Sequence, residues 1–233
     1  MRILCVADHI DPLVYSAAIC QRFADTDLVL SAGDLPMEYL GFISGSLNKR
    51  IFFVFGNHHL KHLPLFRPSA CTGSQIGPTP QIGAEYANEP MFRNYFGSTC
   101  IEGKVIRHRK LLIAGLGGCR RYNSGSNQFT EFQMSMRILR MVPRLIWNRV
   151  VHGRFLDILL THASPYGLND RPDPTHVGFR AFVQFMDRFR PKYLLHGHIH
   201  LYDLNAPRRA THGQTEIINV YDHYLLDFSP DGR

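Results

Sequence analysis

Short apolar runs recur along this chain, each closed by a polar or glycine-rich stretch. Six of them, at 2–7, 27–31, 51–55, 110–115, 156–161 and 193–196, are almost continuously apolar. Runs of that length without alternation predict strands covered on both faces. Between them, 12–22, 36–46 and 177–189 place apolar residues at helical spacing. The stretch 129–151 does the same, but Pro143 inside it predicts a kink or a split. Further on, 215–220 and 224–228 have strand character, so the C-terminal part is richer in β-structure. Strands alternating with helices predict a layered α/β fold. The stretch 63–90 is rich in Pro, Gly, Ser and Thr and lacks a period. Connections that long are usually functional or disordered, so a loop or lid insertion around 63–98 is expected beside the site.

Asp, Asn and His residues stand where these strands end. Asp8 follows 2–7, and Gly33-Asp34 follows 27–31. Gly56-Asn57-His58 follows 51–55, and Thr161-His162 closes 156–161. Gly197-His198-Ile199-His200 follows 193–196. The carboxyl ends of strands form the binding rim of open α/β sheets, so five such ends can converge on one point. Any one of these strings is weak, since an Asp after a strand is often a helix cap. Their order, with a strand before each, points to a metal site. Imidazole with carboxylate suits Mn, Fe or Zn better than Ca, which prefers oxygen alone. Two ions roughly 3.5–4 Å apart can clamp a phosphoryl group during in-line displacement. His198 and His200, two residues apart, are expected to share one face of a strand.

Composition narrows the class. With 233 residues, 45% of them hydrophobic, the chain is expected to form one domain over 1–233. No apolar run approaches the roughly 20 residues of a membrane span. The N-terminal run is too short for a signal peptide and meets Asp8 at once. The five cysteines show no CxxC spacing, and reduced thiols agree with a cytoplasmic address. The net charge of +7 is concentrated. Between Lys104 and Arg154 stand eleven Lys or Arg and one acid, Glu131. That belt is either a solvated face or a surface for an anionic substrate, nucleic acid or lipid. Within it, Gly115-Leu116-Gly117-Gly118-Cys119-Arg120-Arg121 puts Arg120 and Arg121 after a glycine-rich turn, as candidate substrate contacts. Arg137, Arg140 and Arg144 would share one helix face with Met136, Leu139, Ile146 and Trp147 nearby. A membrane surface, a plain solvated helix and a subunit contact, hence a homo-oligomer, are all open readings. Tyr122, Phe129 and Phe132 are expected to pack inside.

These motifs, from Asp8 to His200, resemble those of the calcineurin-like metallophosphoesterases: D-x-H, G-D, G-N-H-[D/E], a later His, and G-H-x-H. The resemblance implies a four-layer αββα sandwich of two mixed sheets flanked by helices, with a dinuclear site at the sheet edge. It implies that Asp8, Asp34 and His200 hold a first divalent ion, and that Asp34, Asn57, His162 and His198 hold a second, with Asp34 bridging. It further implies a phosphate-ester substrate, with a phosphodiester slightly favoured. A metal-bridging hydroxide would attack, and His58 would stabilise the transition state and protonate the leaving oxygen.

The chain departs from that pattern twice. Asp8-His9-Ile10 lacks the histidine of D-x-H, which points to a weak or differently loaded first site. Asp11 could reach the ion there, but capping the helix after Pro12 is the favoured reading. Purple acid phosphatases also lack that histidine, but the position of their tyrosine is Met37 here. His59 replaces the acid after His58, leaving His58 without an anionic partner and a poorer proton donor. Both departures favour a rival reading, a binding protein that kept the fold and lost turnover, as in the retromer subunit that resembles this family. A nuclease or nucleic-acid binder rests only on the basic belt and would show strong salt dependence.

Overall fold

Alternate residues of the central strands face different partners, and that alternation builds the layers. The computed structural model describes residues 1–66, 94–95, 97–203 and 207–229. In β1 (Arg2–Ala7), Ile3, Cys5 and Ala7 enter one core while Leu4 and Val6 enter another. Both sets are fully buried, as the absence of polar alternation requires.

The first sheet has the order β14-β1-β2-β3-β5-β4. Its other strands are β2 (Leu28–Ser31), β3 (Ile51–Phe53), β4 (Asn94–Tyr95), β5 (Ser98–Cys100) and β14 (Asp222–Asp227). From β1 to β5 the pairing is parallel, and the edges β14 and β4 run antiparallel. The second sheet repeats the scheme in the order β12-β13-β11-β10-β7-β6. It comprises β6 (Val105–His108), β7 (Leu111–Leu116), β10 (Ile158–Thr161), β11 (Tyr193–His196), β12 (Arg209–His212) and β13 (Thr215–Asn219). Its four inner strands are parallel and its edges antiparallel. A short parallel pair, β8 (Cys119–Arg120) with β9 (Gln128–Phe129), stands apart.

The two sheets share a core in which Ile3, Cys5, Leu30 and Val54 meet Ile113, Ile158, Leu160 and Ile218. The outer face of the first sheet is covered by α1 (Ile19–Arg22), α2 (Met37–Leu47) and α3 (Leu63–Phe66). The outer face of the second is covered by α4 (Glu131–His152) and α5 (Arg180–Phe189). The order is therefore helix, sheet, sheet, helix, as expected. Among the described residues no helix is long and apolar enough to cross a membrane.

Several local expectations change. The helix expected over 12–22 shrinks to α1, because Asp11 takes the Leu13 N–H on its side chain and the Val14 and Tyr15 N–H groups on its carbonyl. Such side-chain turns compete with helix. Pro143 does not split α4, which runs unbroken for 22 residues. A Thr130–Gln133 capping box starts it and left-handed Gly153 ends it. The edge strands β6 and β12 were not expected, since their half-exposed residues carry no apolar run. The expected loop or lid falls mostly on 67–93, outside the described residues.

Candidate metal centre

The motif loops join in a closed ring of hydrogen bonds across both sheets. After β1, the Asp8 N–H donates to the Gly33 carbonyl at 3.1 Å. Asp34, after β2, accepts from the His58 N–H at 2.7 Å. Asn57 Oδ1, beyond β3, lies 3.0 Å from His162 Nε2, beyond β10. The His162 carbonyl accepts from the Gly197 N–H at 3.0 Å. The His198 N–H, beyond β11, returns to the Asp8 carboxylate at 2.9 Å. Three members have left-handed backbone: Asp8 at φ 66°, Asp34 at φ 56° and His198 at φ 68°. That conformation is uncommon outside glycine, least so for Asp, and such strain collects at functional sites. Here it turns each side chain off its strand axis and back toward the ring.

Among the described residues, Asp34, His162 and His198 place ligand atoms within 4.8 Å of one another, all three buried. The tautomers follow from geometry. A carbonyl can only accept, so His162 Nδ1 carries the proton that bonds Ala32 at 2.9 Å. By the same reasoning His198 Nε2 donates to the Thr175 carbonyl at 2.8 Å. The other ring nitrogen of each is not held by a backbone carbonyl. His162 Nε2 faces Asp34 Oδ2 at 3.3 Å as well as Asn57. The Asn57 amide is fixed in turn, since its Nδ2 donates to the Tyr122 hydroxyl at 3.3 Å. Imidazoles tied back to carbonyls through one nitrogen, beside a carboxylate, are the arrangement that orients metal ligands. The donor set therefore fits a divalent cation.

Without one, a proton takes that place. Burial opposes ionisation of both Asp34 and His162, but their mutual attraction prevails. It holds Asp34 below the usual carboxylate range and raises His162 to about 9. Burial and the His162 charge depress His198 to about 3, so that ring is neutral. Burial raises the Asp8 carboxyl to about 7. A cation needs His162 neutral. Loading at pH 7 is therefore expected to release the His162 proton, with affinity rising about tenfold per pH unit until pH nears 9. Calorimetric titration in two buffers of different ionisation enthalpy checks this, and unchanged apparent heats would contradict it.

The remaining candidates are placed as follows. Asp8 and His200 flank the cluster without entering it. His200 Nδ1 lies 2.7 Å from the Tyr202 hydroxyl, and its ring rests on Tyr221 at 5.1 Å. His198 and His200 lie on a turn past β11, not on one strand face as expected. His58 is exposed, with its backbone anchored on Asp34. His59 is exposed and left-handed at φ 52°. His9 turns away to Asp222 at 2.7 Å. Asp11 is 7% exposed and serves its turn and His223. Arg121 bonds the Gln128 carbonyl and Gln133. Arg120 is half-buried and makes no ion pair among the described residues. The glycine-rich turn before them meets Phe55: a Cβ at Gly117 would lie 2.3 Å from that carbonyl. It serves sheet contact, not an open cradle.

Sequence reasoning missed the supports. Ala32 and Thr175 act through carbonyls, which any residue carries. The Asn127 side chain donates to the Phe55 and Gly56 carbonyls and so steadies the loop that bears Asn57. Asn219 does the same for the Ile199 carbonyl at 2.7 Å. His176 stands with its ring 5.3 Å from that of His198 and bonds Asp173.

The calcineurin-like phosphoesterase family model matches residues 1–202, and the chain belongs to that family. Membership makes it, in general terms, a metal-dependent phosphoesterase. One solved structure aligns at a TM-score of 0.60 and 13% identity, covering 97% of this chain and 94% of that one. The protein TT1561 of Thermus thermophilus aligns at 0.55 and 12% identity, covering 95% and 89%. At such identities these likenesses speak for the fold alone. No curated protein matches the sequence.

Proposed function

We propose that the chain hydrolyses phosphodiesters, with two divalent ions of the Mn, Fe or Zn type. The observation that carries this reading is the pair of buried imidazoles, His162 and His198, each tied back to a backbone carbonyl through one nitrogen and clustered with Asp34. Asp34, Asn57, His162 and His198 would hold one ion, and Asp8, Asp34 and His200 the other. When bound, such ions polarise phosphoryl oxygens and acidify water. The chain's own residues then have separate tasks. Tyr122 fixes the Asn57 amide so that its oxygen faces inward. Asp34 supplies buried negative charge where cations gather. His58, exposed and anchored through its backbone, would donate a proton to the leaving oxygen. Half-buried Arg120 is a candidate for a phosphate oxygen.

Metal-reconstituted protein is tested on bis(p-nitrophenyl) phosphate and on p-nitrophenyl phosphate. Faster turnover of the diester is expected. His58→Gln is expected to lower kcat by about 10²–10⁴ while the bound ion content stays unchanged. A faster monoester would reverse the substrate preference. A binding role has one observation behind it: His9 is committed to Asp222, so the first ion lacks that ligand. Normal ion content with no turnover on either ester would favour that role.

A further inference from the structure

A surface helix normally turns polar residues to water, but α4 also turns an apolar stripe there. Its inner face buries Met134, Met141, Leu145 and Asn148. Half a turn away, positions 132, 136, 139, 143, 146 and 150 carry Phe, Met, Leu, Pro, Ile and Val. With neighbouring Trp147, the fully outward members Phe132, Leu139, Ile146 and Val150 are between 51% and 77% exposed. Such a stripe along a helix about 33 Å long is unusual on a monomer's surface.

Charge decides what it faces. Arg140 and Arg144 border the stripe, exposed and without an ion pair among the described residues. Arg137, expected beside them, instead turns inward to Glu102 at 2.7 Å and to the Gly117 carbonyl. The helix's one acid, Glu131, is occupied by the backbone N–H groups of Arg180 and Ala181. The adjoining α5 adds exposed Arg188, with Arg190 just past its end, and its Asp187 is paired with His212. Two copies meeting here would set arginine against arginine with no acid between them. A plane of anionic headgroups over acyl chains meets both features, since it takes the apolar side chains and pairs the guanidinium groups.

We propose that the outward face of α4 docks this protein on an anionic phospholipid surface. The chain's single tryptophan lies in that face, so it reports docking without a label. The full chain is titrated with vesicles of phosphatidylcholine alone and of phosphatidylcholine mixed with phosphatidylglycerol. With the anionic vesicles, the Trp147 emission is expected to shift to the blue and to be quenched by brominated acyl chains. With neutral vesicles it is expected to stay unchanged. Arg140→Gln with Arg144→Gln is expected to weaken partitioning on the order of twentyfold, with the thermal midpoint unchanged. Ile146→Ser is expected to reduce quenching. Unchanged emission with anionic vesicles would overturn the proposal. So would co-sedimentation without quenching, which means adsorption through another basic face. A blue shift that grows with protein concentration in lipid-free buffer, alongside a doubled mass, would overturn it in favour of a second copy.

Discussion

Replacing Asp34 by Asn is expected to abolish cation binding at the cluster and to lower hydrolysis by about 10³-fold or more. The substitution keeps size and shape. An amide oxygen can still accept the His58 N–H that the carboxylate holds at 2.7 Å, so the loop after β3 keeps its anchor. What disappears is the one charge placed against His162 at 3.3 Å, in a site where Asp34 is 7% exposed. With that charge gone, burial of His162 is opposed by less, and the ring holds its proton less firmly. Neutral donors alone hold divalent ions poorly against water. Metal content after dialysis and turnover under excess Mn²⁺ are the two readings. A full complement of ion with normal turnover would place the working cation elsewhere.

Gly56→Ala is expected to damage fold and site together. A Cβ there would stand 2.0 Å from Asp34 Oδ1 and 2.5 Å from His162 Cε1. Neither neighbour can retreat, since one carries the His58 N–H and the other bonds Ala32. Overpacking of this kind costs about 1–3 kcal/mol, and the midpoint of metal-free thermal unfolding is expected to fall by about 2–12 °C. Moving Asp34 by even an ångström is expected to cost turnover on the order of 10²-fold. Gly45→Ala supplies the opposite sign. Gly45 lies in α2 with nothing within 4 Å of its Cβ position, so helix propensity alone acts and stability rises by about 1 kcal/mol. If both variants melt alike, the crowding at Gly56 is not what limits it.

The strands that carry the site were legible because they are buried on both faces. Continuous apolar runs leave little ambiguity, and β1 and β11 begin and end where the pattern puts them. The order of polar residues after those runs was legible for the same reason, as was the family they resemble. Edge strands escaped notice because an edge needs only one apolar face, and Arg209–His212 has almost none. The helix expected after Pro12 failed through one side chain, Asp11, whose turn competes locally with helix. His198 was placed on a strand, but the backbone turns left-handed there to return its N–H to Asp8. Phe132 was expected inside because aromatic residues usually are, and only the packed helix shows it facing out. The carbonyls of Ala32 and Thr175 have no side-chain signature, so no reading of residue types could have found them.

The ring of hydrogen bonds that closes the site also sets when the site can come into being. Its links join residues 190, 105 and 24 positions apart, and they draw on both sheets. The last link cannot close until β11 has docked, late in the chain and dependent on the most distant pairings. A partly folded chain therefore offers scattered imidazoles and carboxylates but no cage. Binding of a cation by the full cluster thus reports that both sheets have formed.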